Sequence, residues 1–323
     1  MTNAVLTDPW RQAFCRLYGT ERPVVPLGRI MHWRAVAGAL PGGSFADSDP
    51  ALITGGYFYR PHTTAPSAAE LDALPRDDEA RWVLCPVVRH GEGATLAERG
   101  FTELPWFLEA ELIASDDVDR DLRASLGGAR FRELRRLARR AEADFRWEVA
   151  EITEDTLLAF DRLHRQNLAK YGHAHNHFSL EILRDLRASP LGDRLCLFLH
   201  RDRHDAPVQA VLGLRHPESL ELLVQGIDHA AVPPSHNLYA AALYRIYHWG
   251  ADHGLSRFNL GRGAALAKLN LGANRFHVVA NHIDGDVGAL REAACAAMDQ
   301  AVATLCAAAG RRAESLVLPR RTA

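Results

Sequence analysis

The stretch SRFNLGRGAALAKLNLGANRF, Ser256–Phe276, decides how the rest of the chain is read. Ser256–Leu260 has the pattern of a strand in which Phe258 and Leu260 share one face. Gly261-Arg262-Gly263 lets the backbone turn tightly at the strand's end. A short helical turn then carries Lys268, and Gly272-Ala273-Asn274 leads into a second strand, Arg275–Ile283. A cation at each end of a glycine-flanked loop beside a strand terminus forms a candidate clamp for a phosphate or carboxylate. Lys268 would act as a point charge and Arg262 as a planar fork. The plain alternative is a turn with two solvated cations, because Gly-Arg-Gly is a motif of low specificity.

Working outward, the segment before this loop predicts a long helix, His236–His253, set off by Pro233-Pro234 and stopped by Gly254. Ahead of it lie three predicted strands, Arg194–Arg201, Pro207–Arg215 and Ser219–Ile227, joined by polar turns. Earlier still are a strand at Phe145–Glu151, a helix from Thr153 to Lys170 and a helix capped by Ser179 that reaches Ala188. The hairpins require antiparallel pairing, and the helical crossover requires one parallel pair. The result is an α/β fold with a mixed central sheet, whose change of pairing direction is a natural place for a cleft. The last predicted helix, Val287–Ala309, is rich in alanine and carries no evident chemistry.

Upstream of Phe145, a helix running to Leu126 is capped by Ser115 or Asp116, and Gly127-Gly128 separates it from ARFRELRRLARRAEA. In that second helix Phe131, Leu134, Ala138 and Ala141 form the apolar stripe, and Arg132, Arg135, Arg136, Arg139 and Arg140 cover much of the remainder. The arginines are either a solvated face or an anion-binding surface, with Glu133 and Glu142 as the local counter-charges. The first part of the chain is less regular. It suggests helices at Asp8–Tyr18, Ser67–Leu74 and Thr95–Arg99, an element near Gly28–Val36, and strands at Leu52–Arg60, Arg81–Arg89 and Pro105–Ile113.

The composition is that of an ordinary globular protein: 323 residues, 47% hydrophobic and 24% charged. A net charge of −2 gives no global case for nucleic-acid binding, so any such surface is a local patch, and DNA is not an expected partner. No apolar run reaches the length expected of a membrane span, and the first residues lack the pattern of a secretion signal. The five cysteines, an odd number without a CxxC pair, predict reduced thiols and a cytoplasmic location.

From Phe145 on, the element order resembles the GNAT acyltransferase fold, and the details resemble its FemABX-like branch, which includes the BioF2-like group. Three pieces carry the likeness. They are Gly100-Phe101 with PWFLEAELI and the arginine-rich helix, VQGIDHAAVPPSHNLYAAALYRIYHWGADHGLSRFNLGRG, and Ala267-Lys268 with Leu271-Gly272. Together they span Gly100–Ile283. The likeness implies two GNAT-like lobes: a degenerate one over 1–114, a linking arginine-rich segment over 115–144, and an acyltransferase lobe over 145–323. It also implies amide formation on an amine, with aminoacyl-tRNA as the expected donor, contacted at its acceptor end, and a small amine-bearing acceptor. The donor is then a co-substrate, and no cofactor or metal is expected. An acyl-CoA-dependent N-acyltransferase is the alternative, and a non-catalytic GNAT-like binding protein a further one. This chain departs from the family in lacking a coiled-coil arm, in having Ala267 where an aromatic precedes the lysine, and in having VPPSHNLYAA where a glycine-rich pyrophosphate cradle would stand.

Aminolysis needs a deprotonated amine near the carbonyl and a stabilised oxyanion, which splayed strands can supply from backbone amides. Asp228, His229 and His236 are the candidate bases, with His236 the strongest because histidine titrates near neutrality. Asn237 and Tyr239 could orient a substrate, and each could equally be a helix-start or core residue. Arg135 and Arg139 are candidates for donor binding. His175, in GHAHNHF with His173 and His177, is a candidate acceptor contact, a metal set being the weaker reading and a plain loop the bland one.

Overall fold

The computed structural model describes residues 28–32, 50–54, 82–89, 93–171, 176, 178–284 and 287–319. The chain divides into two compact units, one made of residues 1–109, 276–308 and 318–323, the other of 110–275 and 309–317. This differs from the expected division at 114/115 and 144/145. The break falls inside one strand, and the last helix joins the N-terminal residues instead of a C-terminal lobe. The physical reason is that strand pairing outweighs chain order: the strand after the Lys268 loop pairs with an N-terminal strand and takes the following helix with it. The predicted helices at Asp8–Tyr18 and Ser67–Leu74 lie outside the described residues.

In the first unit β1 (Gly28–His32) pairs antiparallel with β2 (Pro50–Thr54), and β2 pairs parallel with β3 (Trp82–Arg89). Helix α1 (Ala94–Glu98) precedes β4 (Phe101–Ile113), which crosses the boundary between units. β10 (Arg275–Asp284) pairs antiparallel with β3. Helix α8 (Gly288–Ala309) follows. Among the described residues, the stretch Arg291–Ala313 is long and apolar enough to cross a membrane, which the sequence reading missed. Its buried residues Ala294, Met298, Val302, Leu305 and Ala309 recur every three or four positions, as in a helix packed along one stripe.

The second unit begins with α2 (Val118–Leu126) and α3 (Gly128–Asp144). The cap of α2 is Asp117, whose side chain accepts from the Arg120 N–H at 3.0 Å; Ser115 instead binds Asp121. The buried residues of α3 are Phe131, Leu134, Ala138 and Ala141, the stripe read from the sequence. Then come β5 (Arg146–Ala150), α4 (Glu154–Tyr171), α5 (Leu180–Ala188), β6 (Leu195–Arg201), β7 (Pro207–Arg215) and β8 (Ser219–Ile227). Helix α6 (Leu238–Asp252) crosses over to β9 (Arg257–Arg262), and α7 (Ala265–Leu269) follows. The strands lie in the order β9-β8-β7-β6-β5, antiparallel from β5 to β8 and parallel between β8 and β9. The mixed sheet has the GNAT order of elements expected from the sequence.

Helices cover both faces of this sheet, so β6 and β7 are apolar along nearly their whole length. The ring of Trp249 on α6 meets Phe198 on β6, 5.0 Å between centroids. Phe198, Val211 and Gln225 are register partners across β6, β7 and β8 and share that face. Gly226 points to the opposite face, where a Cβ would lie 2.4 Å from the His164 nitrogen on α4. Only glycine lets α4 approach the strand so closely at this point.

Candidate active site

β8 is the strand that builds the site. Leu212 pairs with Val224 and Gly213 with Leu222, so Leu223 is the extra residue of a bulge. The parallel ladder to β9 runs from Ser219↔Arg257 to Glu221↔Asn259. β8 continues to Ile227 and β9 to Arg262, beyond that ladder, and the two strands bound an opening. The direction of the β8 main chain within it follows from one bond. The Asp228 N–H donates to the Val208 carbonyl on β7 at 2.8 Å. Main-chain groups alternate sides along a strand, so Gln225 turns its N–H and C=O away from β7, toward the side that β9 has left.

The β9 wall carries Lys268. The Gly261 N–H donates to Asn259 Oδ1 at 2.7 Å, and Gly261 has φ 73°, which glycine tolerates. The strand extends through Gly261-Arg262, and the turn falls on Gly263 and Ala264, both with positive φ. That corrects the expected turn by about one residue. α7 then returns Lys268, whose Nζ donates to the Arg262 carbonyl at 2.7 Å. A Cβ on Gly261 would lie 3.6 Å from the Leu222 carbonyl oxygen and 4.0 Å from Lys268 Nζ, so the ammonium sits at the mouth of the opening. Lys268 is 5% exposed, which overturns its reading as a solvated cation. The folding back of α7 that buries it is not visible in residue spacing.

The candidates at the β8–α6 junction are engaged in the fold. Asp228 Oδ1 accepts from the Ala230 and Ala231 N–H groups at 3.1 Å, and Oδ2 lies 3.4 Å from Arg162. His229 meets Asn167 and Lys170 on α4. His236 Nε2 is 2.8 Å from Asp144 Oδ2, its Nδ1 is 3.2 Å from Ser235 Oγ, and its ring is edge-on to Phe145. Asn237 caps α6, its Oδ1 accepting from the Ala240 N–H at 3.0 Å. Tyr239 is half-buried, and burial pushes its phenol up to about 12, so it is a neutral hydroxyl at pH 7. These bonds follow from loop and cap chemistry, which for Asn237 is the helix-start role the sequence allowed.

On α3 the arginines are more paired than the local sequence suggests. Arg136 binds Glu133 at 2.6 Å, Arg140 donates to the Ser235 carbonyl at 3.0 Å, and Glu142 takes Arg245 from α6 at 2.8 Å. Arg135 Nε lies 3.9 Å from Asp119 on α2, and its guanidinium stands over the Phe131 ring. Arg132 and Arg139 are exposed, with no ion pair among the described residues. His175, with His173 and His177, lies outside the described residues.

Two groups escaped the sequence reading. His164 on α4 is 4% exposed, and its Nδ1 lies 3.3 Å from the Gln225 carbonyl oxygen. Its signal is a polar residue in the buried stripe Leu157, Phe160, Leu163. At the other end of β8, Arg194 donates to His216 Nδ1 at 2.6 Å, and His216 Nε2 lies 3.1 Å from Glu221 Oε1, off the line of a hydrogen bond. Cys196 is not a nucleophile: burial pushes its thiol up to about 11.

Residues 128–269 match the family model described as an acetyltransferase (GNAT) domain. The chain carries a GNAT acyltransferase domain. The match spans α3 through α7 and so includes both walls of the opening. No curated protein sequence matches the chain. Among solved structures, the fold resembles the C-terminal domain of a protein assigned as a lysylphosphatidylglycerol synthetase from Agrobacterium fabrum, at 14% identity and TM-score 0.55, covering 90% of each chain. It also resembles L-PGS from Bacillus licheniformis, at 11% identity and TM-score 0.55, covering 89% of this chain and 95% of that one. FemX is similar at 10% identity and TM-score 0.55, covering 90% of this chain and 94% of that one. The GNAT domain thus has the fold seen in FemX.

Proposed function

We propose that the GNAT domain transfers an aminoacyl group from an aminoacyl-tRNA to the amine of a small acceptor at the opening between β8 and β9. The observation that carries this is the Gln225 main chain turned toward the opening, with the Lys268 ammonium at its mouth. The acceptor nitrogen attacks the ester carbonyl and a C–N bond forms. The ester C–O bond breaks, and the departing oxygen takes the amine's proton. The Gln225 N–H faces the position where negative charge collects on the carbonyl oxygen, and Lys268 adds a positive charge nearby. Arg262 and Tyr239 are the groups this reading offers to the substrates. Asp228, His236 and Asn237 act through the fold, as turn, hydrogen-bond partner of Asp144 and cap. No resident cofactor or metal is needed, and the reaction belongs in the cytoplasm, where aminoacyl-tRNA is made.

Three points support the aminoacyl donor. The segment before α6 has no glycine cradle for a coenzyme A pyrophosphate. The exposed Arg139, with Arg135 beside it, can follow a phosphate backbone at the tRNA acceptor end. The fold neighbour assigned as a lysylphosphatidylglycerol synthetase bears a name that denotes an aminoacylated product. A second reading, an acyl-CoA donor, is favoured by the family model's description as an acetyltransferase. Incubating the purified chain with charged tRNA or acyl-CoA and a panel of amines, read by mass spectrometry, tests both. The expected product needs charged tRNA, disappears on ribonuclease treatment and declines steeply with salt. Full activity with acyl-CoA, untouched by ribonuclease, selects the second reading. Donor binding without turnover selects a binding protein.

A further inference from the structure

The His164 ring occupies a prepared slot. It lies nearly parallel to Phe160, 5.6 Å between centroids, and edge-on to Phe178 at 6.5 Å. Asp161, three residues earlier, binds Arg165 at 2.7 Å and takes a longer contact from Asn176 at 3.4 Å, fixing the turn of α4 that carries the histidine. Gly226 brings this turn against β8, since any side chain there would strike the Leu163 carbonyl carbon and the His164 nitrogen at 2.4 Å. A ring held between Phe160 and Phe178, with the Asn176 side chain also bonded to it, delivers its Nδ1 to one main-chain oxygen, that of Gln225. A carbonyl oxygen can only accept, so Nδ1 carries the hydrogen. Burial holds the ring's pKa below the ordinary histidine value and keeps it neutral at pH 7.

Gln225 turns both its N–H and its C=O away from β7, and in the absence of a β9 ladder at this level the C=O takes its hydrogen from His164. We propose that His164 is a positioning residue for acyl transfer: its Nδ1–H anchors the Gln225 carbonyl and so holds the strand open, with the Gln225 N–H aimed at the acyl oxygen. The inference rests on the acyl-transfer reading above. It assigns His164 no contact with substrate and no proton transfer. A strand edge abandoned by its neighbour has no lattice of bonds to fix its main chain, and one side-chain donor from the covering helix replaces that lattice.

The test uses His164→Phe, which keeps the ring and removes the donor, and His164→Asn, whose amide restores a donor near the Nδ1 position. Steady-state kinetics, thermal melting and amide hydrogen exchange at Gln225 are compared across the full-length variants. The expected result for His164→Phe is a kcat about ten- to a hundredfold lower, KM for both substrates within about twofold, and faster exchange at Gln225. His164→Asn should recover most of kcat and of the exchange protection, even if its melting temperature is the lower of the two. Three results overturn the proposal while leaving the acyl-transfer reading intact. These are unchanged kcat in His164→Phe, a kcat loss that follows the melting temperature in both variants, or a kcat loss without any change of exchange at Gln225. Absence of transfer by the unmodified chain overturns the reading itself, and the proposal with it.

Discussion

The two ends of β8 make opposite use of one strand. At its start, Ser219–Glu221 is paired on both sides, to β7 and to β9. Polar side chains there close on one another: Arg194 on His216, His216 against Glu221, and Arg257 on Glu111 at 2.8 Å. At its finish, from Gln225 to Ile227, the strand is paired to β7, and the β9 ladder has stopped. There the main chain itself is on offer, a histidine from α4 holds one carbonyl, and a buried lysine stands at the mouth. Where a neighbour stays, polar groups serve the fold. Where it leaves, the same backbone groups are the ones we propose meet the acyl carbonyl. The bulge at Leu223 lies between the two regimes, and bulges re-aim a strand and end pairing.

The strongest way to break this contrast is to alter the mouth. Lys268→Ala should lower kcat/KM by about 2–4 kcal/mol of transition-state stabilisation. Because Lys268 is buried and bonded to the Arg262 carbonyl, it should also lose roughly 1–3 kcal/mol of stability. Urea titration and single-turnover rates separate the two losses. A stable variant with kinetics within twofold of the parent would show that the β9 wall is only a turn.

The covered part of the sheet has its own signature. His200, buried on β6 and bonded to Gln209 at 2.9 Å, is pushed down to about 4 by burial. Its folded value lies below the unfolded one near 6.5, so between these the unfolded chain binds more protons and stability rises with pH. Acidification from pH 6.5 to about 4 should cost roughly 3 kcal/mol through this group. His200→Gln should flatten that slope in urea melts taken across the range. An unchanged slope would place the acid sensitivity elsewhere.

Between the ends stands Gly226. Gly226→Ala should destabilise by about 1–3 kcal/mol, the usual cost of overpacking, because α4 must move off β8. The same shift should lengthen the bond from His164 to Gln225 and lower kcat more than it raises KM. A loss of stability with unaltered turnover would sever the helix contact from the chemistry. The smallest effect is expected on α3. Charge reversal at Arg135 and Arg139 should raise the KM for charged tRNA about tenfold at low salt and leave the melting temperature nearly unchanged. An equal KM for parent and variant would assign these arginines to a solvated face.

Much of the scaffold was legible because it rests on local periodicity. The stripe Phe131, Leu134, Ala138, Ala141 on α3 and the strand order from β5 to β9 were read directly. What escaped depends on contacts distant in sequence. Lys268 looks exposed until α7 folds it back, and nothing near His164 marks the carbonyl of Gln225 as its partner. His236 looks like a free base until Asp144, at the far end of α3, meets it. The pairing of β10 with β3 across most of the sequence is likewise invisible to local periodicity.

The claim that the open end of β8 holds the acyl carbonyl has one direct measurement. Isotope-labelled protein is titrated with a non-hydrolysable aminoacyl-adenosine amide, and backbone amide shifts are followed by NMR. The largest shift is predicted at Gln225, with smaller ones at Ile227, Gly261 and Lys268 and little change from Ser219 to Glu221. Shifts that gather at the paired end around His216 and Glu221, with Gln225 unmoved, would contradict it.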